Sequence, residues 1–147
     1  MVISVRAGEV YSFAPIGSLT LSANHSENGP SGGHGTASYP DTDLETENGI
    51  SGIQIDGTGF LAGAFVGPGG AGPKYRAGVA FQQLRPVRNQ AFYIGTGRYQ
   101  NEPRRFVVPA GATRLVMGVP DGTNTRGCPG AYSDNSGGFN VSVARLH

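Results

Sequence analysis

The stretch VPDGTNTRGCPGAYSDNSGGF, Val119 to Phe139, carries Asp121, Asn124, Asp134 and Asn135, with Thr123, Thr125, Ser133 and Ser136 around them. A turn uses one or two oxygen-bearing side chains, and here they are in excess. Hard cations such as Ca²⁺ take roughly six to eight oxygens from carboxylates, amides, backbone carbonyls and water. Carboxylates neutralise the dication, while amides fill positions without adding repulsion. Adjacent side chains on a strand point to opposite faces, so Asp134 and Asn135 can share an ion only where the backbone curls. Ser136-Gly137-Gly138 permits such a curl. The competing reading is that Asp and Asn cap turns through their own backbone. The spacing is not that of an EF-hand loop, whose ligands alternate within about twelve residues.

A second acidic run, Asp41-Thr42-Asp43-Leu44-Glu45-Thr46-Glu47, puts carboxylates at every second position. If extended, all of them line one face. Such a face holds a second cation or forms a solvated edge. His34, in GGHG, stands in the same polar region, while His25 and His147 belong to no pattern. Three scattered histidines and the single Cys128 do not make a zinc set, and one cysteine excludes an internal disulfide. No GxSxG or HExxH occurs, and GPGGAG lacks the Lys-Ser/Thr of a phosphate-binding loop. The pattern is that of a binding protein and not of an enzyme.

The elements that must position these groups read as strands. Twenty-five glycines and 10 prolines among 147 residues exclude a helical bundle and suit short strands joined by tight turns. Ile3 and Val5 alternate with polar neighbours, Val10 to Ala14 forms a second strand, and Leu19 and Leu21 mark a third. Asn24 to Asp43 reads as a long loop, of a length that in a compact domain is usually functional or disordered. Strands resume at Ile53–Ile55, Phe60–Val66, Val79–Phe81 and Ala91–Ile94. They end with the alternations Phe106–Val108, Leu115–Val119 and Phe139–Val143. About eight or nine strands in one domain, residues 1–147, predict an all-β antiparallel sandwich of the jelly-roll, galactose-binding-domain-like kind. A net charge of +1 with one lysine, Lys74, argues against nucleic acid, and no apolar run is long enough to span a bilayer. The N-terminus lacks the charged start and apolar run of a signal peptide.

RFVVPAGATRLVMGVPDG and PGAYSDNSGGFNVSV together resemble the C-terminal half of the bacterial PA-IL-like, calcium-dependent galactose-binding lectins. GEVYSFAPIGSLTLS is similar to their early strand and first calcium-facing turn, and FLAGAFVG to their central strand. The resemblance implies a β-sandwich that binds one Ca²⁺, with two sugar hydroxyls completing its coordination. Carried over by position, Asp121, Asp134 and Asn135 would give side-chain ligands, and Ala131 and Leu21 backbone carbonyls. Asp121 and Asp134 would also accept hydrogen bonds from the bound hydroxyls. The family's sugar-gripping His-Pro-x-Gln segment matches Tyr39-Pro40-Asp41-Thr42 most nearly, which adds Tyr39, Asp41 and Thr42 to the sugar set, with His34 from the same loop.

The chain also departs from that family. Asp134 stands where an Asn is usual, the loop from Asp121 to Asp134 is longer and brings in Arg126 and Cys128, and the N-terminal strand is missing or replaced. The expected partners are galactose-containing glycans. Weak single sites gain avidity through several copies, so the resemblance also implies a homo-oligomer, a dimer or tetramer acting outside the cell. The competing classes are a sandwich module that binds no sugar and an accessory domain of a larger secreted glycoside hydrolase.

Overall fold

The computed structural model describes residues 2–20, 29–33, 41–120, 126–127 and 136–146, with backbone alone at 19–20, 126–127 and 136–137. In chain order the strands are β1 (Val2–Ser4), β2 (Val10–Thr20), β3 (Thr42–Leu44), β4 (Gln54–Ile55), β5 (Ala62–Val66), β6 (Gln83–Leu84) and β7 (Ala91–Tyr93). They continue as β8 (Arg98–Tyr99), β9 (Glu102–Pro103), β10 (Arg105–Val107), β11 (Arg114–Gly118), β12 (Arg126–Gly127) and β13 (Ser136–Leu146). No helix occurs among the described residues. One four-stranded sheet has the order β1-β11-β5-β7 and the other β13-β2-β10-β6, which makes the fold an all-β sandwich.

Alternation sets the two faces of each sheet. Ile3, Leu115 and Phe65 stand in register across three strands and point inward, whereas Val2, Val116 and Ala64 point the other way. On the opposite sheet Tyr11 and Phe13 alternate inward with Phe106 beside them. The two inner faces meet through a column of rings. Phe65 and Phe92 lie 5.1 Å apart, Phe92 and Phe106 5.3 Å, and Phe106 and Phe13 5.1 Å. Burying each such ring is worth roughly 1.5–3 kcal/mol, and each favourable ring pair adds about 0.5–1.5 kcal/mol. This column ties the sheets together.

Three details differ from the sequence reading. The second and third expected strands are one, β2, which runs through Pro15. Only β13 pairs with β2 beyond Tyr11, so the missing N–H of Pro15 can fall on the side where no described strand bonds. The expected strand at Val79–Phe81 is absent, and the ladder forms at Gln83–Leu84 instead. The pairing is also not wholly antiparallel: β6 runs parallel to β10 and β12 parallel to β3. These are two-residue ladders on long connections, fixed by tertiary contact and not by local alternation.

Candidate functional site

Leu21, His34, Tyr39, Asp121, Ala131, Asp134 and Asn135 lie outside the described residues. The residues that bracket them do not. Val5 N–H donates to the Thr113 carbonyl at 3.0 Å and Gly8 N–H to the Val108 carbonyl at 2.9 Å, closing one end of the sandwich. From there β2 and β11 run away, and β13 returns with Leu146 opposite Val10. Thr20, Gly118 and Ser136 therefore lie toward the other end, with Thr20 and Ser136 directly paired. The segment 29–33 joins them, since Leu61 N–H donates to the Pro30 carbonyl at 2.8 Å and Tyr93 Oη to the Ser31 carbonyl at 3.0 Å. The chain positions that precede Leu21 and Asp121 and follow Asn135 thus lie toward the same end of the two sheets.

The start of β3 lies against this region. Thr42 is fully buried and its Oγ1 donates to the Gly57 carbonyl at 2.7 Å. Its hydroxyl is committed to the core, which removes Thr42 from the expected sugar set. Asp41, one residue earlier, is partly exposed. Arg126 stands in register with Asp43 and Gly127 with Leu44, so β12 anchors the chain between Asp121 and Ala131 to the strand that follows Asp41. An apolar cleft of about 230 Å³ opens beside it, floored by Leu44, Ile50, Ile53 and Pro120 and rimmed by Glu45 and Glu47.

The acidic run meets an ammonium. In β3, Thr42 and Leu44 are buried while Asp43 is only half-buried, so the acids take the outer parity. There Lys74 Nζ pairs with Asp43 and, at 3.3 Å, with Glu45. The hydrogen bond to Asp43 foremost holds the Lys74 ammonium above its ordinary pKa, against the opposing pull of burial. Among the described residues no three His, Cys, Asp or Glu cluster as a metal set. Beyond it, Glu47 and Ile50 exchange both backbone hydrogen bonds at 3.0 Å around Asn48 (φ 52°) and Gly49 (φ 78°). Positive φ at both central residues is the type I′ hairpin for which Asn-Gly is the strongest short signal.

One further cluster escaped the sequence. Arg104 is 4% exposed, and its guanidinium carbon lies 4.3 Å from the Phe81 ring centre, 5.3 Å from Tyr93 and 5.5 Å from Tyr99. Nε donates to the Arg98 carbonyl at 3.0 Å, while buried Nη1 has no hydrogen-bond partner among the described residues. Burial pushes the Arg104 pKa down and raises those of Tyr75 and Tyr93. The same Tyr93 that flanks this cation holds Ser31, so the cage braces the chain that leads into His34. Its members are too far apart in sequence to have been grouped by spacing.

No family model and no curated protein matches the chain. Among solved structures it is similar to one described as "EclA N-terminal domain; PllA-like lectin", with a TM-score of 0.52, 19% identity, and coverage of 98% of this chain and 82% of that one. At that identity the likeness is one of fold, and it runs through nearly the whole sandwich.

Proposed function

We propose that the chain is a carbohydrate-binding lectin domain, not an enzyme, and that it takes galactose-like sugars through a bound Ca²⁺. The observation that carries this reading is the end-to-end likeness in fold to a PllA-like lectin domain. The donor chemistry supports the ion. Asp121, Asp134 and Asn135 with the carbonyls of Ala131 and Leu21 make an all-oxygen set of the kind calcium takes, and Thr20, which precedes Leu21 in sequence, pairs with Ser136, which follows Asn135.

A neutral sugar brings no charge, and its hydroxyls exchange water for protein at little net gain. A bound Ca²⁺ supplies a strong fixed acceptor of two oxygens at once, and so selects one diol geometry. In this reading the carboxylates of Asp121 and Asp134 accept hydrogen bonds from the sugar, and Tyr39, Asp41 and His34 line its outer side. The partners are galactose-containing glycans, engaged by more than one copy of the chain.

A glycan array run in calcium and again in a chelator tests this. Galactosides should be retained with calcium, released by the chelator and retained again on adding the ion back. A blank array in calcium, or binding that ignores the chelator, refutes the reading.

A further inference from the structure

The strand β13 is an edge of its sheet. All 11 residues of Ser136–Leu146 pair with β2 on one side, and among the described residues no backbone hydrogen bond reaches its other side. An edge this long, about 36 Å at ~3.3 Å per residue, presents a row of unpaired N–H and C=O groups. Proteins that stay monomeric blunt such an edge with lysine, proline, inward charge or a bulge. β13 has none of these over Ser136 to Ala144: SGGFNVSVA holds no charge and no proline, and its register with β2 is unbroken.

The outer face beside this edge is equally plain. Gly138, Asn140, Ser142 and Ala144 are exposed, flanked on β2 by exposed Ala14 and by Ile16 at 68% exposure. We infer that β13 pairs antiparallel with β13 of a second copy, joining two sheets across a two-fold axis at Val141. A two-fold axis sets every residue against its own strand, so a charged edge would repel itself and a neutral one does not. Centring on Val141 overlaps the full strand and keeps faces matched: inward Phe139 meets Val143, outward Asn140 meets Ser142, and Gly138 meets Ala144. The strand's one charge, Arg145, already held by Glu9 at 3.1 Å, falls opposite Gly137. The pairing does not depend on the sugar reading and stands or falls separately from it.

Sedimentation of the full chain should give an even multiple of the chain mass. Asn140→Lys with Ser142→Lys sets like charges opposite each other twice, and should halve that mass or weaken association about tenfold. Asn140→Lys with Ser142→Glu sets opposite charges across the same axis and should restore it. Circular dichroism melts confirm that each variant folds. In the unsubstituted protein, amide exchange of residues 138–146 should slow as concentration rises, a readout that survives misfolding of either variant. A monomer at tens of micromolar, or an oligomer indifferent to both substitutions, overturns the inference.

Discussion

Arg104 gives the sharpest test of the packing argument. A buried cation with no ion pair among the described residues is kept by its aromatic neighbours and one carbonyl, and these terms can be weighed. Cation–π contact is worth about 0.5–2 kcal/mol, and the charge-assisted bond from Nε to the Arg98 carbonyl about 1.5–3 kcal/mol. Against them stands the cost of desolvating an ion, several kcal/mol even after relaxation. The sum is close to zero. Arg104→Met, which fills the same space and removes both sides of the balance, should therefore change stability by no more than about 1 kcal/mol. Arg104→Ala leaves a void among Phe81, Tyr93 and Tyr99 and should cost roughly 3–4 kcal/mol. Arg104→Lys keeps the desolvation cost but loses the flat stacking and the Nε bond, and should cost about 2–4 kcal/mol. Urea unfolding followed by circular dichroism and tyrosine emission (the chain has no tryptophan) measures all of them. If the Lys variant matches the parent while the Met variant falls by several kcal/mol, the charge itself holds the fold and the reasoning is wrong.

Calcium at a hundredfold excess over its Kd should stabilise the protein by about 2.7 kcal/mol, roughly 5–10 °C in Tm for a domain of this size, and Asp121→Ala or Asn135→Ala should abolish the shift in a thermal melt. Gly97 has φ 74° and a Cβ there would sit 1.8 Å from the Phe13 carbonyl oxygen. Gly97→Ala should thus cost about 3 kcal/mol or more, whereas Gly118→Ala, with open space around it, should stay within about 0.5 kcal/mol in the same urea assay. Burial foremost raises the pKa of Tyr75 and Tyr93 above the unfolded value of about 10. Their contribution is complete below about pH 10 and lost above it, by up to ~1.4 kcal/mol per pH unit for each tyrosine. The urea midpoint should fall between about pH 9 and pH 11, and less steeply in Tyr93→Phe; a flat profile refutes this.

Local pattern reveals strands and says less about which strands meet. Phe106, Leu115 and Val143 sit in alternations strong enough to name both the strand and its inner face, and each of them packs on the core. Pro15 lies between the two segments read as separate strands, and its missing donor costs nothing where no described strand bonds on that side. The ladders of β6 and β12 hold two residues each, with partners some twenty residues or more away and no periodicity to signal them. Asn48-Gly49 was a readable hairpin signal that the alternating acids around it obscured.

The acidic run shows how far parity alone could have gone. Thr42 and Leu44 share one parity and Asp43 and Glu45 the other, and leucine is the residue that must go inside. Thr42 follows Leu44 into the core, and a buried hydroxyl takes the nearest free acceptor, here Gly57. The acids then point outward together, and like charges on one edge need a cation. The chain holds a single lysine, and it is placed there. The same parity therefore turns Thr42 into the core and sets the Lys74 ammonium beside Asp43 and Glu45, with Asp41 one residue ahead of the strand. A calcium-linked sugar site at the end where Thr20 pairs with Ser136 needs its ligands from the residues beyond Thr20 and Pro120 and before Ser136, which is where the oxygen-rich segments of the sequence stand.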